Sequence, residues 1–287
     1  MEAAIKKSDV LIEALPYIKS FFGKVIVIKY GGSTLDKDEI RKQVLQDIVF
    51  MRYAGMNPVL VHGGGPLITR MMQESGKEAK FVDGQRVTDK KTVSIINQAF
   101  QQLNKQLVEE IKEFGANAYS LSGEQSGIVT AKKLSAEVNL GYVGSVDSVD
   151  ATIIKQLISA DIIPVVSPLG RGKDNEIYNI NADNVASFIA ATLSAEKFVL
   201  LTNVAGILKD IENEDSLIHT LTGQEAKKLI EDKIIAGGMI PKVNACIEAV
   251  HNGVKKAHIV NCFLPHALLL EIFTTKGIGT EIVPNKE

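Results

Sequence analysis

Short apolar runs rich in β-branched residues alternate along the chain with longer segments whose apolar residues recur every three or four positions. The runs at 24–30 (KVIVIKY), 57–63 (NPVLVHG), 161–170 (DIIPVVSPLG), 197–204 (KFVLLTNV) and 256–262 (KAHIVNC) predict strands. The segments 38–55, 89–115, 148–161, 181–197 and 242–253 predict amphipathic helices that end at Gly or a polar residue. This alternation predicts an α/β protein with a central, mainly parallel sheet. The unbroken apolar character of the strands predicts cover on both faces, hence a three-layer α/β/α sandwich.

Three segments stand outside the alternation. Residues 139–150 (NLGYVGSVDSVD), with 85–89 (QRVTD) before them, predict β-hairpins or a lid over the first half. The polar stretch 170–184 (GRGKDNEIYNINADN) reads as a crossing between two lobes, with a boundary near residue 178. The leading stretch places Ile5, Val10, Leu11, Ala14, Ile18 and Phe22 near helical spacing, broken by Pro16, and so has an apolar face in need of a partner. The expected division is 1–23, 24–178 and 179–287.

Composition narrows the partners. In 287 residues, 32 basic side chains nearly balance 34 acidic ones, so no field favours nucleic acid or an anionic membrane, and an anionic ligand requires a local site. The leading residues carry charges rather than a signal-type apolar stretch, and no uncharged run approaches membrane-spanning length, so the expected compartment is the cytoplasm. Cys246 and Cys262 form no C-x-x-C pair and suggest neither a disulfide framework nor a structural metal.

Open α/β sheets bind ligands beyond the carboxyl ends of their strands, so the residues just after each run carry the candidate chemistry. Lys29 ends the first run and Gly31, Gly32 and Ser33 follow. Taken alone this is either a snorkelling lysine and a turn, or a phosphate loop whose bare backbone N–H groups approach an anion. After the second run, Gly63, Gly64 and Gly65 precede Pro66, a loop delivered onto a helix N-terminus. Neither loop is a Walker A or G-x-G-x-x-G motif.

Asn179, Asn181 and Asp183 alternate before a small-residue helix, where one of the latter two is expected as its cap. Gly237 and Gly238 precede Lys242, which reads as opening a helix and, alone, as a solvated first-turn lysine. Together the two lysines, the glycine loops and one aspartate suit phosphoryl transfer, which depends on positioning and charge neutralisation.

The motifs IKYGG (28–32), LVHGGGP (60–66), DGQRVTD (83–89), NINADNVA (179–186), LLTNVAGIL (200–208) and GGMIPKVNA (237–245), in this order, resemble the amino acid kinase family. Within it they resemble the branch that phosphorylates the side-chain carboxylate of N-acetyl-L-glutamate, giving N-acetyl-L-glutamyl 5-phosphate in arginine synthesis. The resemblance implies the amino acid kinase fold, an acetylglutamate-binding and dimerisation lobe at 24–178 and an ATP-binding lobe at 179–287. ATP is the implied co-substrate, with Mg²⁺ carried by the nucleotide and no metal site of the chain's own.

Residue by residue, the resemblance matches Lys29 and Lys242 to lysines that stabilise the moving phosphoryl group, Asp183 to the carboxylate that orients them, and Gly32 and Gly64 to backbone donors. Gly64, Gly65, Arg86 and Asn179 match the acetylglutamate site, and Asn181 is carried over only as a neighbour. Gly31, Thr202, Asn203, Gly206, Leu208, Gly238 and Met239 fall where nucleotide contacts are expected. The leading segment resembles the helix of relatives that form hexamers and are inhibited by arginine. Tyr17, Lys197, His266 and Glu281 are the matching inhibitor-site candidates, with surface packing the alternative for Tyr17 and His266. The homo-oligomer expected is a dimer or a hexamer. Competing readings are a relative with another acceptor, such as carbamate or glutamate, and a non-catalytic sensor of arginine or nucleotide.

Overall fold

The computed structural model describes residues 2–123, 125–274 and 276–285, with side chains described throughout these except at 2–8, 10, 11 and 214. The expected apolar positions Ile5, Val10 and Leu11 therefore lie outside the described side chains. In chain order, α1 (Glu2–Phe21) leads to β1 (Val25–Tyr30), α2 (Asp38–Tyr53), β2 (Asn57–His62), α3 (Gly65–Glu74), β3 (Phe81–Val82), β4 (Gln85–Arg86), α4 (Lys90–Glu113) and β5 (Ala118–Ser122). There follow β6 (Val129–Lys133), β7 (Val143–Val149), α5 (Thr152–Ser159), β8 (Ile163–Ser167), β9 (Leu169–Gly172) and β10 (Ile177–Ile180). The remainder is α6 (Ala182–Thr192), β11 (Lys197–Thr202), β12 (Thr220–Thr222), α7 (Gly223–Glu231), α8 (Met239–His251), β13 (Lys256–Asn261), α9 (Ala267–Ile272) and β14 (Thr280–Val283).

One sheet crosses the molecule in the order β12-β14-β13-β11-β1-β2-β8-β5, parallel except where β14 opposes β13. Strand β1 lies at its centre, paired with β2 on one side and β11 on the other, so the order reverses there. Successive residues of a strand point to opposite faces. Val27, Val59, Val61 and Leu200 bury one face with α6, α8, Ile154 of α5 and its cap residue Ala151. Ile26, Ile28, Tyr30 and Leu60 bury the other with α2, α4 and α9. Both faces are covered, as the unbroken apolar runs require. Strands β6, β7, β9 and β10 close a small barrel beside the sheet.

Several elements differ from the sequence expectation. The helix expected at 148–161 begins at Thr152, because residues up to Val149 pair with β6 as the end of β7. The run 161–170 divides into β8 in the main sheet and β9 in the barrel. The polar stretch 170–184 is largely the antiparallel β9–β10 hairpin, whose turn residues supply its polarity. Helix α1 runs through Pro16 rather than breaking there; Tyr17 stacks edge to face on Phe273 and Phe21 packs onto the sheet layer, holding the turn after the proline. Strands β5, β6, β12 and β14 and helices α7 and α9 lie outside the expected set; most are short or half-exposed, which leaves little periodic signal.

The loop after β1 is tied to the helical layer by one buried cation. Arg41 donates to both carboxylate oxygens of Glu110 on α4, to the Leu35 carbonyl and to Asp38. Its guanidinium is buried, so removing the main counter-charge strands it. Glu110→Ala is expected to lower unfolding stability by about 3 kcal/mol, read as a fall in the urea or thermal midpoint, whereas a change within error would show that Asp38 and solvent suffice.

Candidate active site

The strand parity that buries Val27 also turns Lys29 toward α6. Helix α6 starts at the end of β10, where Asn181 is the cap and accepts from the Asp183 N–H. That frees the Asp183 side chain, which is 5% exposed, for a different task. Its Oδ1 lies 2.8 Å from Lys29 Nζ and its Oδ2 accepts from Lys242 Nζ at 2.9 Å. Lys242 does not open its helix: α8 begins at Met239, with Pro241 tolerated in a first turn that needs no N–H partner, so Lys242 sits one turn in. Burial alone would raise the Asp183 pKa, but the two ammonium groups outweigh it and hold the carboxyl at about 2.

The two glycine loops meet beside this clamp. A Cβ on Gly31 would lie 3.1 Å from both Lys29 Nζ and the Gly63 nitrogen, so the loops approach backbone to backbone. Gly32 takes φ +83°, open to glycine without strain. A Cβ on Gly64 would meet Phe100 at 2.9 Å and Leu103 at 3.0 Å on α4. Gly65 opens α3 with Pro66 behind it. The first loop is internally braced, since Tyr30 donates to the Thr34 carbonyl and Thr34 to the Gly31 carbonyl.

On the far side of the glycines, Arg86 is buried at the end of the β3–β4 hairpin. Its guanidinium donates to Thr69 at 2.8 Å and to the Gly65 carbonyl at 3.1 Å, and stacks over the Phe81 ring. Among the described residues no carboxylate lies within ion-pair distance of it, which leaves a desolvated cation matched to an anionic group. Thr88 donates to the Arg86 carbonyl and accepts a long contact from Asn179, linking these two expected residues. Thr69, Phe81 and Thr88 were missed as site residues; Thr88 lay within the quoted DGQRVTD motif, and the other two carried no signal of their own.

Across the clamp, Thr202, Asn203, Gly206, Leu208, Gly238 and Met239 line one cavity of about 420 Å³ together with Lys242. Gly31 stands on the Lys29 side rather than in that lining. Val204, Ile211 and Ile234, all well exposed, form an apolar rim that the motifs did not mark. Among the described residues no group of three His, Cys, Asp or Glu side chains is arranged to hold a metal ion.

The four inhibitor-site candidates divide. Tyr17 and His266 line a cavity of about 730 Å³ between α1 and α9. Lys197 is buried under the Phe21 ring with Nζ 3.0 Å from His258 Nε2, and Glu281 accepts from Lys256 and Thr220.

An open α/β sheet with its site at the central strand reversal, two lysines on one buried carboxylate and two bare loops defines a protein that handles phosphoryl groups. The chain belongs to the amino acid kinase family, whose model matches residues 24–261. It is 46% identical to the acetylglutamate kinase of Halothermothrix orenii over the whole of both chains. It is 48% identical to that of Petrotoga mobilis over 97% of this chain and 93% of that one. Among solved structures, N-acetylglutamate synthase from Neisseria gonorrhoeae, complexed with coenzyme A and N-acetyl-glutamate, matches 98% of this chain with TM-score 0.86 at 26% identity, and this chain spans 64% of that one. Carbamate kinase from Giardia lamblia bound to AMP-PNP shares the fold, with TM-score 0.66 and 18% identity over 92% of this chain and 99% of that one.

The clamp has a titration signature. Because the folded Asp183 value lies below 3.8, its contribution to stability is present above pH 3.8 and is lost as pH falls toward 2. Lys242→Ala removes one of the charges that oppose burial and is expected to move the Asp183 midpoint upward in a carboxyl-carbon NMR titration. An unmoved midpoint would show that Lys29 alone sets it.

Proposed function

We propose that the chain transfers the γ-phosphoryl group of ATP to the side-chain carboxylate of N-acetyl-L-glutamate, forming N-acetyl-L-glutamyl 5-phosphate and ADP in arginine biosynthesis. The observation that carries this reading is the Asp183 clamp on Lys29 and Lys242 at the head of the central strand. An acceptor carboxylate is already ionised at neutral pH, so no general base is needed. A carboxylate oxygen attacks the γ-phosphorus while the bond from that phosphorus to the β–γ bridging oxygen breaks, and the electron pair leaves with ADP. The obstacle is repulsion between two anions. Lys29 and Lys242 neutralise charge on the moving group, Asp183 aims them, and the Gly32 and Gly64 N–H groups add donors.

Mg²⁺ arrives on the nucleotide phosphates and supplies further neutralisation there. Asp183 is already engaged by both lysines, which supports its assignment to aiming ammonium groups rather than holding metal. Arg86, with Gly64, Gly65 and Asn179, binds an acceptor carboxylate; its support is a buried guanidinium without an acidic partner among the described residues. Thr202, Asn203, Gly206, Leu208, Gly238 and Met239 take the nucleotide in their cavity, with Gly31 beside its phosphates. On this reading 24–178 is the acceptor lobe and 179–287 the nucleotide lobe, working in the cytoplasm.

Regulation follows from α1. Arginine inhibits through Tyr17, Lys197, His266 and Glu281, and α1 carries assembly beyond a dimer to a hexamer. The support is that α1 touches both pairs of candidates, through Tyr17 at the cavity shared with His266 and through Phe21 over Lys197.

Lys29→Ala and Lys242→Ala are each expected to lower kcat by about 10²–10³-fold with modest change in the ATP KM. Arg86→Ala is expected mainly to raise the acetylglutamate KM. ATP consumption with N-acetylglutamate, glutamate and carbamate in turn checks the acceptor, and absence of turnover with the first would overturn the reading. The same assay with arginine tests the inhibition, and unchanged turnover removes it; sizing of the chain with and without residues 1–22 tests the assembly, and an unchanged oligomer after truncation removes the hexamer.

A further inference from the structure

His62 ends β2 directly before the three glycines and has no exposed surface. Its parity opposes that of Val61, so the ring turns away from the lysine clamp toward α4. There Nδ1 lies 2.9 Å from the carbonyl oxygen of Gly63 and Nε2 lies 3.0 Å from Oδ1 of Asn104, itself buried. The Phe100 ring packs edge-on against the imidazole at 5.6 Å, and the same Phe100 closes the space at Gly64.

A carbonyl oxygen only accepts, so the 2.9 Å contact requires a proton on Nδ1. Burial drives the imidazole toward its neutral form. A neutral ring with Nδ1–H has a lone pair on Nε2, which the Asn104 oxygen would oppose; turning that amide end for end brings its NH₂ to Nε2, and since the two ends differ by little in shape the hydrogen-bond pattern decides between them. The opposite tautomer would set a lone pair against the Gly63 oxygen.

We propose that His62, held as its Nδ1–H tautomer by the Gly63 carbonyl and seated against Asn104, is a positioning residue that pins the Gly63 carbonyl toward α4 and thereby holds the Gly64 N–H toward the transferring phosphoryl group. This rests on the phosphoryl-transfer reading above. The peptide linking Gly63 to Gly64 is planar, with its carbonyl and N–H opposed, so fixing the Gly63 oxygen on one side fixes the Gly64 N–H on the other. Glycines make this loop bare enough for an anion but leave it no side chains with which to hold itself. The neighbouring His62 and α4 supply what the glycines lack. Gly63 donates its own N–H to the Tyr30 carbonyl, so the residue is held at both ends.

The test separates hydrogen bonding from packing. The amide nitrogen of an asparagine falls near the place of Nδ1, and that of a glutamine near Nε2. His62→Asn therefore keeps a donor for Gly63, while His62→Gln and His62→Leu do not. Both latter variants are expected to lose on the order of 10²-fold in kcat, as for a displaced catalytic donor, with the ATP KM unchanged within about twofold. His62→Asn is expected to keep at least about tenfold more kcat than either. Equal kcat in all three would assign His62 to packing alone and overturn the proposal.

Nitrogen-15 NMR of the His62 ring in the wild-type chain provides a second readout that needs neither turnover nor a folded variant. A protonated Nδ1 at neutral pH is expected, and a bare Nδ1 overturns the proposal even if every variant unfolds. Absence of wild-type turnover with acetylglutamate would instead sink the phosphoryl-transfer reading, while the ring measurement would still decide how the Gly63 carbonyl is held.

Discussion

One buried carboxylate between two ammonium groups sets the terms for the rest of the site. Asp183 is desolvated enough that its charge survives only because Lys29 and Lys242 stand against its two oxygens. The dependence is mutual, since neither lysine has a comparable partner among the described residues. The arrangement leaves one net positive charge where two anions must approach. It also joins β1 in the first half of the chain to α6 and α8 in the second, so the charge geometry is only as accurate as the packing of those helices on the sheet.

That packing is governed by strand parity. Neighbouring positions at the ends of β1 and β2 point to opposite faces: Lys29 shares a face with Val27 and Val61, and His62 shares one with Tyr30 and Leu60. One face brings α6 and its aspartate; the other brings α4 and its asparagine. A register slip of one residue in either strand would exchange these partners, moving a cation into an apolar layer and a neutral ring toward the clamp. Fully buried neighbours along both strands make such a slip costly.

The glycines have different reasons for being glycine. Gly31 is required by the closeness of the Gly63 backbone and of Lys29 Nζ, Gly32 by its left-handed backbone, and Gly64 by the wall of Phe100 and Leu103. Only the second follows from local chain geometry, since the first depends on the loop after β2. The third belongs to α4, some forty residues later in sequence. A motif of consecutive glycines thus combines several constraints that a single sequence cannot separate.

The sequence by itself determined the architecture of the main sheet, because five unbroken apolar runs separated by amphipathic helices have few other ways to bury themselves. It also marked Lys29, Asp183 and Lys242, since charged residues at strand ends and helix starts in an α/β chain are conspicuous against their apolar surroundings, while Arg86 was marked only by the family resemblance of its motif. The short barrel strands, the run of α1 through Pro16 and the true start of α8 were not legible, because pairing and packing with distant segments override weak local signals there. Only the tertiary structure decided that Asn181 caps α6 while Asp183 turns to the lysines, and that His62 turns to Asn104. The physical reason is the same in both cases: which polar groups satisfy one another inside a protein depends on which faces meet, and that is settled by contacts between elements far apart in sequence.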